Sequence, residues 1–138
     1  MVKFEAFGYE VKKIFKILQK GGKGYYPTSG VRTIVKSKPS KKVISTKLFD
    51  GYIEKDIEDN KTYTIASSDF CFPLETDLIG GDDFKDVYKF FRPRNGKYIS
   101  VGKYNNSRDI FIEYLRNIDY LQKEKYLNPN NPRLIIFE

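Results

Sequence analysis

The stretch YTIASSDFCFPLETDLIGGDDF, residues 63–84, decides the fold of this chain. Residues 63–68 alternate in the manner of a half-buried β-strand. The strand leads to Phe70, and after a loop the pair Gly80-Gly81 precedes Asp82. Paired glycines allow positive φ and a close neighbour, so the carboxylate that follows them has a defined position.

A ring at a strand end and a carboxylate on a glycine turn suit a flat ligand that carries hydroxyl groups. The ring stacks on the flat part of the ligand, and the carboxylate accepts hydrogen bonds from the hydroxyls. The same residues also fit an ordinary turn beside a core phenylalanine, because GGD turns are common. Both interpretations stay open on these residues alone.

This stretch resembles the signature near the end of the C-terminal domain of 5′-nucleotidases, the family of bacterial periplasmic UDP-sugar hydrolases and animal ecto-5′-nucleotidases. Residues 63–70, YTIASSDF, correspond to the family's YtVAtnDF strand. Residues 80–84, GGDDF, correspond to its GGDGF, with Asp83 in place of the third glycine. The intervening loop is longer than in the family, which leaves open whether Phe70 or Phe72 points into a pocket.

The order of the other segments extends the resemblance over nearly the whole chain. In the family, a strand and an amphipathic helix precede a glycine loop, a hairpin and the signature, and a short strand after a proline-bearing loop ends the domain. The corresponding segments here are VKFEAFGYEVKKIFKIL (2–18), GYYPTSGVRTIV (24–35), KKVISTKLFDGYI (41–53) and PRLI (132–135).

The resemblance implies an α+β fold with a mixed, mainly antiparallel sheet and flanking helices, as part of a four-layer α/β/β/α sandwich. The length of 138 residues is that of one domain, residues 1–138. The family's N-x-G-G-x-R segment, which grips phosphate, and its metallophosphatase domain have no counterpart in this sequence. We therefore expect an N-terminally truncated 5′-nucleotidase C-terminal-like domain.

Carried over position by position, the resemblance implies a substrate-binding site. Phe70 would stack on a nucleobase, Asp82 would accept hydrogen bonds from ribose hydroxyls, and Gly80 and Gly81 would shape the turn. The implied function is nucleotide or nucleoside recognition within nucleotide catabolism by a phosphoric ester hydrolase. Because part of the family's pocket has no counterpart here, we expect binding on the order of millimolar at best.

The absence of histidine is the most restrictive feature of the composition. It excludes Ser-His-Asp and Cys-His catalysis and nearly every zinc site. The single cysteine, Cys71, is predicted to be an inert loop or core thiol. The acidic run at 56–59 lacks the ligand spacing of a calcium loop. We therefore predict no catalytic residue, no metal site and no cofactor, and no activity for the chain alone.

Hydrophobic periodicity predicts helices at 9–20 and 107–122. Asp50-Gly51 predicts a two-residue type I′ hairpin turn. Further turns are predicted at 56–59, 80–84 and 92–96. The apolar faces of the helices are Val11, Ile14, Phe15 and Leu18 in the first, and Phe111, Tyr114, Leu115, Ile118 and Leu121 in the second. The predicted strands lie at 2–7, 31–35, 43–49, 63–68, 98–101 and 134–137.

The expected binding partner of this chain depends on its function, and two hypotheses about that function stay open. In the first the partner is a weakly bound nucleoside or nucleotide, together with a metallophosphatase domain or chain. In the second the fold is a non-catalytic structural or interaction module of a larger assembly, which presents its basic surface to an acidic protein.

Nucleic acid is a disfavoured partner, although the net charge of +7 attracts phosphate backbones. The aromatic residues do not interleave with the basic ones as a single-strand platform requires. The phosphate contacts would be Lys36, Lys38, Lys41, Lys42, Arg92 and Arg94.

The sequence does not assign a compartment. No apolar run approaches the roughly 20 residues of a membrane helix, so no membrane span is predicted. The N-terminal MVKFEAFGYE contains acids where a signal peptide has a continuous apolar core. The family is typically periplasmic, secreted or at the cell surface.

Overall fold

The computed structural model describes residues 1–20, 29–68, 71–74, 82–99, 107–116 and 134–137. Within these ranges the chain forms seven strands and three helices. None of these helices is long and apolar enough to cross a membrane. The elements are β1 (Val2–Phe7), α1 (Gly8–Lys20), β2 (Val31–Lys36), β3 (Lys42–Phe49), β4 (Glu54–Lys55), β5 (Thr62–Ser67), α2 (Asp82–Tyr88), β6 (Arg94–Tyr98), α3 (Ser107–Arg116) and β7 (Leu134–Phe137).

The first sheet has the strand order β5-β1-β6 and is antiparallel throughout. Its central strand β1 alternates as predicted, with Val2, Phe4 and Ala6 fully buried. Successive residues of a strand point to opposite faces, so these three side chains lie on one face of the sheet and form part of the hydrophobic core. Strand β5 is half-buried, as its alternation predicted.

The second sheet has the order β4-β3-β2-β7. Strands β2 and β3 are antiparallel, whereas β2 and β7 are parallel. The two sheets together confirm the predicted α+β class with mainly antiparallel pairing. They also agree with the two sheets that the family resemblance implies.

Helix α1 is the element that contacts both sheets, because it packs against β1, β5 and β3 and also against α2. Val11, Ile14 and Leu18 are buried and Phe15 is partly buried, so the predicted apolar stripe is confirmed. The helix starts at Gly8, whose N–H donates to Lys61 O. A Cβ at this position would lie 2.0 Å from Glu58 O, so the close approach requires glycine.

The connection between β3 and β4 differs from the predicted two-residue type I′ turn. The loop has four residues, 50–53, and of Asp50 and Gly51 only the glycine has a positive φ, of 111°. Asp50 Oδ1 instead accepts hydrogen bonds from the N–H groups of Tyr52 and Ile53, both at 2.8 Å. These bonds lower the pKa of Asp50. The side chain of Asp50 thus shapes the turn, and Asp50 itself does not take a positive φ.

The predicted turn at 92–96 is wrong from residue 94 on, because β6 occupies residues 94–98. Of the strand predicted at 98–101, Tyr98 lies in β6 and Ile99 does not, and residues 100 and 101 lie outside the described residues. Asn95 takes a φ of 49° inside this strand, and the register with β1 shifts between Lys3 and Glu5. A bulge therefore absorbs the turn-forming Asn-Gly pair. Pairing with the central strand outweighs the local turn preference.

Helix α2 was not predicted, and Asp82-Asp83, expected in a glycine turn, form its first two residues. Carboxylates in a first helical turn are favourable because the helix N-terminus is partially positive. The helix buries Phe84, Val87 and Tyr88. Its apolar face covers barely two turns, which is too short to stand out as a helical period.

Two further predictions are corrected in part. In the acidic run 56–59 the acids are exposed as expected, but Ile57 is 2% exposed and anchors the run in the core. In α3, Phe111 is 56% exposed although it was expected in the buried face. The expected partners Ile118 and Leu121 and the predicted helix end at 122 lie outside the described residues.

Candidate functional site

Cys71 and Phe72 lie next to the end of β5. The N–H groups of Cys71 and Phe72 both donate to Ser68 O, at 3.2 and 3.0 Å. Phe72, only two positions after the predicted ligand residue Phe70, lies in the interior at 5% exposure. Of the two phenylalanines that the sequence left as alternatives, Phe72 is therefore a buried residue, and it also lines the cavity described below.

Phe72 meets the second half of the signature at Phe84 on α2. Their ring centroids are 5.5 Å apart in an edge-on arrangement, a favourable geometry for aromatic pairs. Because Phe72 belongs to the loop between the two halves of the signature, this contact holds that loop against α2. The rings of Phe4, Tyr88 and Phe91 complete the cluster around Phe72, at 5.1, 6.0 and 6.3 Å.

Tyr88 ties this cluster to the loop that follows β5. Its hydroxyl donates to Pro73 O at 2.6 Å, and the residue is 3% exposed. Burial raises the pKa of Tyr88 to about 12, although the nearby Arg92 opposes the shift. The phenol is therefore neutral at physiological pH and acts as a hydrogen-bond donor.

A cavity of about 360 Å³ lies beside the aromatic pair. Its size is within the range of small-molecule sites. The described part of its lining is mainly apolar, which suits the flat part of a ligand better than a phosphate. The lining comes from α1 (Val11, Ile14, Phe15, Leu18), β5 (Tyr63–Ser67), the region of β2 and β3 (Ser29, Gly30, Val31, Leu48) and the residues Cys71, Phe72 and Phe84.

The predicted site residues themselves fall largely outside the described residues. This holds for Phe70, Gly80 and Gly81, while Asp82 is described as the first residue of α2 without its side chain. Their roles therefore stay predictions. Sequence reasoning missed the cavity wall from α1, because helical periodicity marks an apolar face but not an incompletely filled space beside it.

Arg94, proposed above as a phosphate contact, is engaged elsewhere. Its guanidinium bonds both carboxylate oxygens of Glu10, with an Nη1–Oε1 distance of 2.9 Å, and lies 4.4 Å over the ring of Phe7. This removes one phosphate contact from the nucleic-acid hypothesis. Among the described residues no group of three or more Cys, Asp or Glu side chains is arranged to hold a metal ion.

Comparison with known proteins gives one informative match. No protein-family model and no curated protein matches the chain. A solved structure does match, that of the NAD nucleotidase of Haemophilus influenzae, with a TM-score of 0.57 and 19% sequence identity. The match covers 99% of this chain and 24% of the nucleotidase chain. The fold is therefore shared with part of a 5′-nucleotidase family member, as the sequence resemblance predicted.

Proposed function

We propose that this chain is the substrate-recognition part of a nucleotidase-like hydrolase and is not catalytic by itself. The observation that supports it is the cavity of about 360 Å³, which Tyr63–Ser67 of the first half of the signature and Phe84 of the second half line together. In this proposal Phe70 stacks on the base and Asp82 accepts hydrogen bonds from the ribose. Gly80 and Gly81, which have no side chain, leave the backbone before Asp82 accessible to the ligand.

Adenosine titrated into the ¹⁵N-labelled chain tests this proposal. We expect shifts of the Phe70 and Asp82 amide signals, with a dissociation constant on the order of millimolar. NAD is a second probe, because the matching structure is that of an NAD nucleotidase. If the Phe70 and Asp82 amide signals do not shift at high ligand concentration, the proposal is wrong.

Two variants separate stacking from a general change in the chain. Phe70→Ala is expected to weaken adenosine binding by about tenfold, since base–aromatic stacking contributes roughly 1–3 kcal/mol. Phe111→Ala is the matched control, because this phenylalanine is 56% exposed on α3. Equal effects of the two variants would argue against a stacking role of Phe70.

The second candidate function is a non-catalytic interaction module. It is favoured by large apolar side chains on the surface around β3 and β4, with Tyr52 at 92%, Ile53 at 58% and Ile44 at 50% exposure. Purification of the native chain with its bound partners discriminates between the candidates. A metallophosphatase polypeptide in the complex supports recognition of substrate, whereas a stable complex with an unrelated protein and no nucleoside binding supports the module.

A further inference from the structure

Among the described residues, strand β3 has an open edge along most of its length. On one side it pairs with β2 from Lys42 to Leu48. On the other side its partner β4 pairs with Leu48 and Phe49 alone. In the part of the chain that the structure describes, no strand covers residues 42–47 on that second side.

The backbone of Thr46 faces this open side. Phe49 faces the β2 side of β3, because its N–H donates to the O atom of Gly30, the residue directly before β2. In an antiparallel pair, successive residues direct their N–H and C=O groups alternately to one neighbour and the other. The groups of Leu48 therefore face β4, and those of Thr46 face the side that β4 does not reach. Such unpaired edge groups are a template for another strand.

A groove of about 350 Å³ runs along this edge between β3 and α1. Its described lining contains three lysines, Lys12 and Lys16 of α1 and Lys47 of β3, against the single carboxylate of Asp56. Lys12 pairs with Asp59 at 2.7 Å, and Lys47 lies 3.7 Å from Asp56. For Lys16 the described residues provide no ion-pair partner.

The basic character continues beyond the groove. Further lysines lie at the far end of the open edge, namely Lys36 at the end of β2, Lys38 and Lys41 in the turn, and Lys42 at the start of β3. The charge of the edge therefore favours an acidic occupant. The described lining of the groove contains no aromatic ring on which a base could stack, which favours a peptide over single-stranded nucleic acid.

We propose that the open edge of β3 binds an extended acidic segment of a partner protein by strand addition. The segment exchanges backbone hydrogen bonds with Thr46 and directs carboxylates towards Lys12 and Lys16. Main-chain bonds supply affinity in this mode of recognition, and alternate side chains supply specificity. The proposal does not depend on nucleoside binding.

The probe is a seven-residue peptide that alternates Glu and Val and has blocked termini. When it is extended, all its carboxylates lie on one face, so one register places them against α1. Titrated into the ¹⁵N-labelled chain, it is expected to shift the Thr46 amide and slow its hydrogen exchange. We expect it to bind at least about fivefold more tightly than the same peptide with Lys in place of Glu.

Variants of α1 test the charge contribution with a matched control. Lys16→Glu is expected to weaken binding of the acidic peptide by about fivefold. Lys13→Glu should leave binding unchanged, because Lys13 lies over the ring of Phe90 at 4.1 Å and does not line the groove.

Four results would each overturn the proposal. The first is that the Lys peptide binds as tightly as the Glu peptide, and the second is that a backbone N-methylated Glu peptide binds as tightly as the parent Glu peptide. The third is that a single-stranded oligonucleotide binds with the same Lys16 dependence while the peptide does not. The fourth is that the chain dimerises with protection of the Thr46 amide, which would identify a second copy as the occupant.

Discussion

The carboxylate of Glu10 joins β1, α1 and β6 at a residue that is 5% exposed. It accepts hydrogen bonds from Phe7 N–H, at 2.8 Å, and from the guanidinium of Arg94. The bond to Phe7 resembles the return bond of a capping box, in which an early helical Glu satisfies a backbone donor before the helix. A single side chain thus caps α1 and fixes it to the neighbouring strand.

We expect Glu10→Gln to lower the free energy of unfolding by about 2 kcal/mol. The reason is that charge-assisted hydrogen bonds contribute more than neutral ones, and Arg94 loses its counter-charge. Urea unfolding followed by far-UV circular dichroism measures the change. Glu5→Gln is the matched control, since Glu5 bonds Asn95 at an exposed position and should change stability by no more than about 0.5 kcal/mol. Equal losses in both variants would contradict the role of Glu10.

Tyr88 makes the stability of the protein sensitive to alkaline pH. Its pKa is raised to about 12 from the usual 10, so between these values the unfolded chain binds fewer protons than the folded one. Stability therefore falls as the pH rises from about 10 towards 12. We expect Tyr88→Phe to lose about 1 kcal/mol at pH 8, because the bond to Pro73 O is missing.

The urea midpoint at pH 8 and pH 11 checks this expectation. The stability deficit of Tyr88→Phe relative to the parent chain should shrink at pH 11. Tyr52→Phe is the control, because Tyr52 is 92% exposed and should match the parent at both values. A deficit that is constant with pH would show that the phenol does not titrate differently in the folded state.

The start of α1 is the element boundary at which packing overrides helix propensity. Ala in place of Gly normally favours a helix by up to about 1 kcal/mol. At Gly8, however, a Cβ would lie 2.0 Å from the backbone oxygen of Glu58 and 2.9 Å from Ile57 Cγ2. Backbone atoms cannot move aside as the end of a flexible side chain can.

We therefore expect Gly8→Ala to destabilise the fold by about 1–3 kcal/mol, the usual cost of overpacking. Thermal or urea unfolding gives the sign directly, because propensity alone predicts a gain. Lys16→Ala provides an exposed control on the same helix, with a change within about 0.5 kcal/mol. A stabilised Gly8→Ala variant would show that the segment 57–61 does not dock closely on α1.

The same elements show what the sequence could predict. The alternation of β1 and the stripe of α1 were readable because each element presents one face to the core over its whole length. Strand β6 was not, because Asn95 and Gly96 favour a turn and only the unsatisfied edge of β1 makes them a strand. In the candidate site, the family resemblance marked the segments 63–70 and 80–84, but it did not predict the cavity that Tyr63–Ser67 and Phe84 line. The packing of Phe72 depends on a tertiary contact with α2 that no local pattern contains.

The whole molecule combines a fold shared with part of a nucleotidase with two separate surfaces for which we propose binding. The cavity beside Phe72 and Phe84 is mainly apolar in its described lining, which suits a base more than a phosphoryl group. The open edge of β3 borders a different groove, which is lined by Lys12 and Lys16 of α1 and not by the aromatic cluster. The two proposed contacts, one with a small ligand and one with a protein partner, therefore involve different groups of the chain.

Phosphomonoester hydrolysis in the family that this chain resembles uses a metal pair to activate water and stabilise charge on the phosphoryl group. Residues 1–138 contain no histidine and no GxxxxGK phosphate loop. We therefore expect no phosphate release from AMP, UDP-glucose or NAD by this chain, with zinc, manganese, cobalt or calcium added in turn. A colorimetric phosphate assay measures it, and repeated purification controls for contaminating phosphatases. Metal-dependent turnover that persists after repurification and disappears in Asp82→Asn would contradict the proposal that this chain binds substrate without catalysing its hydrolysis.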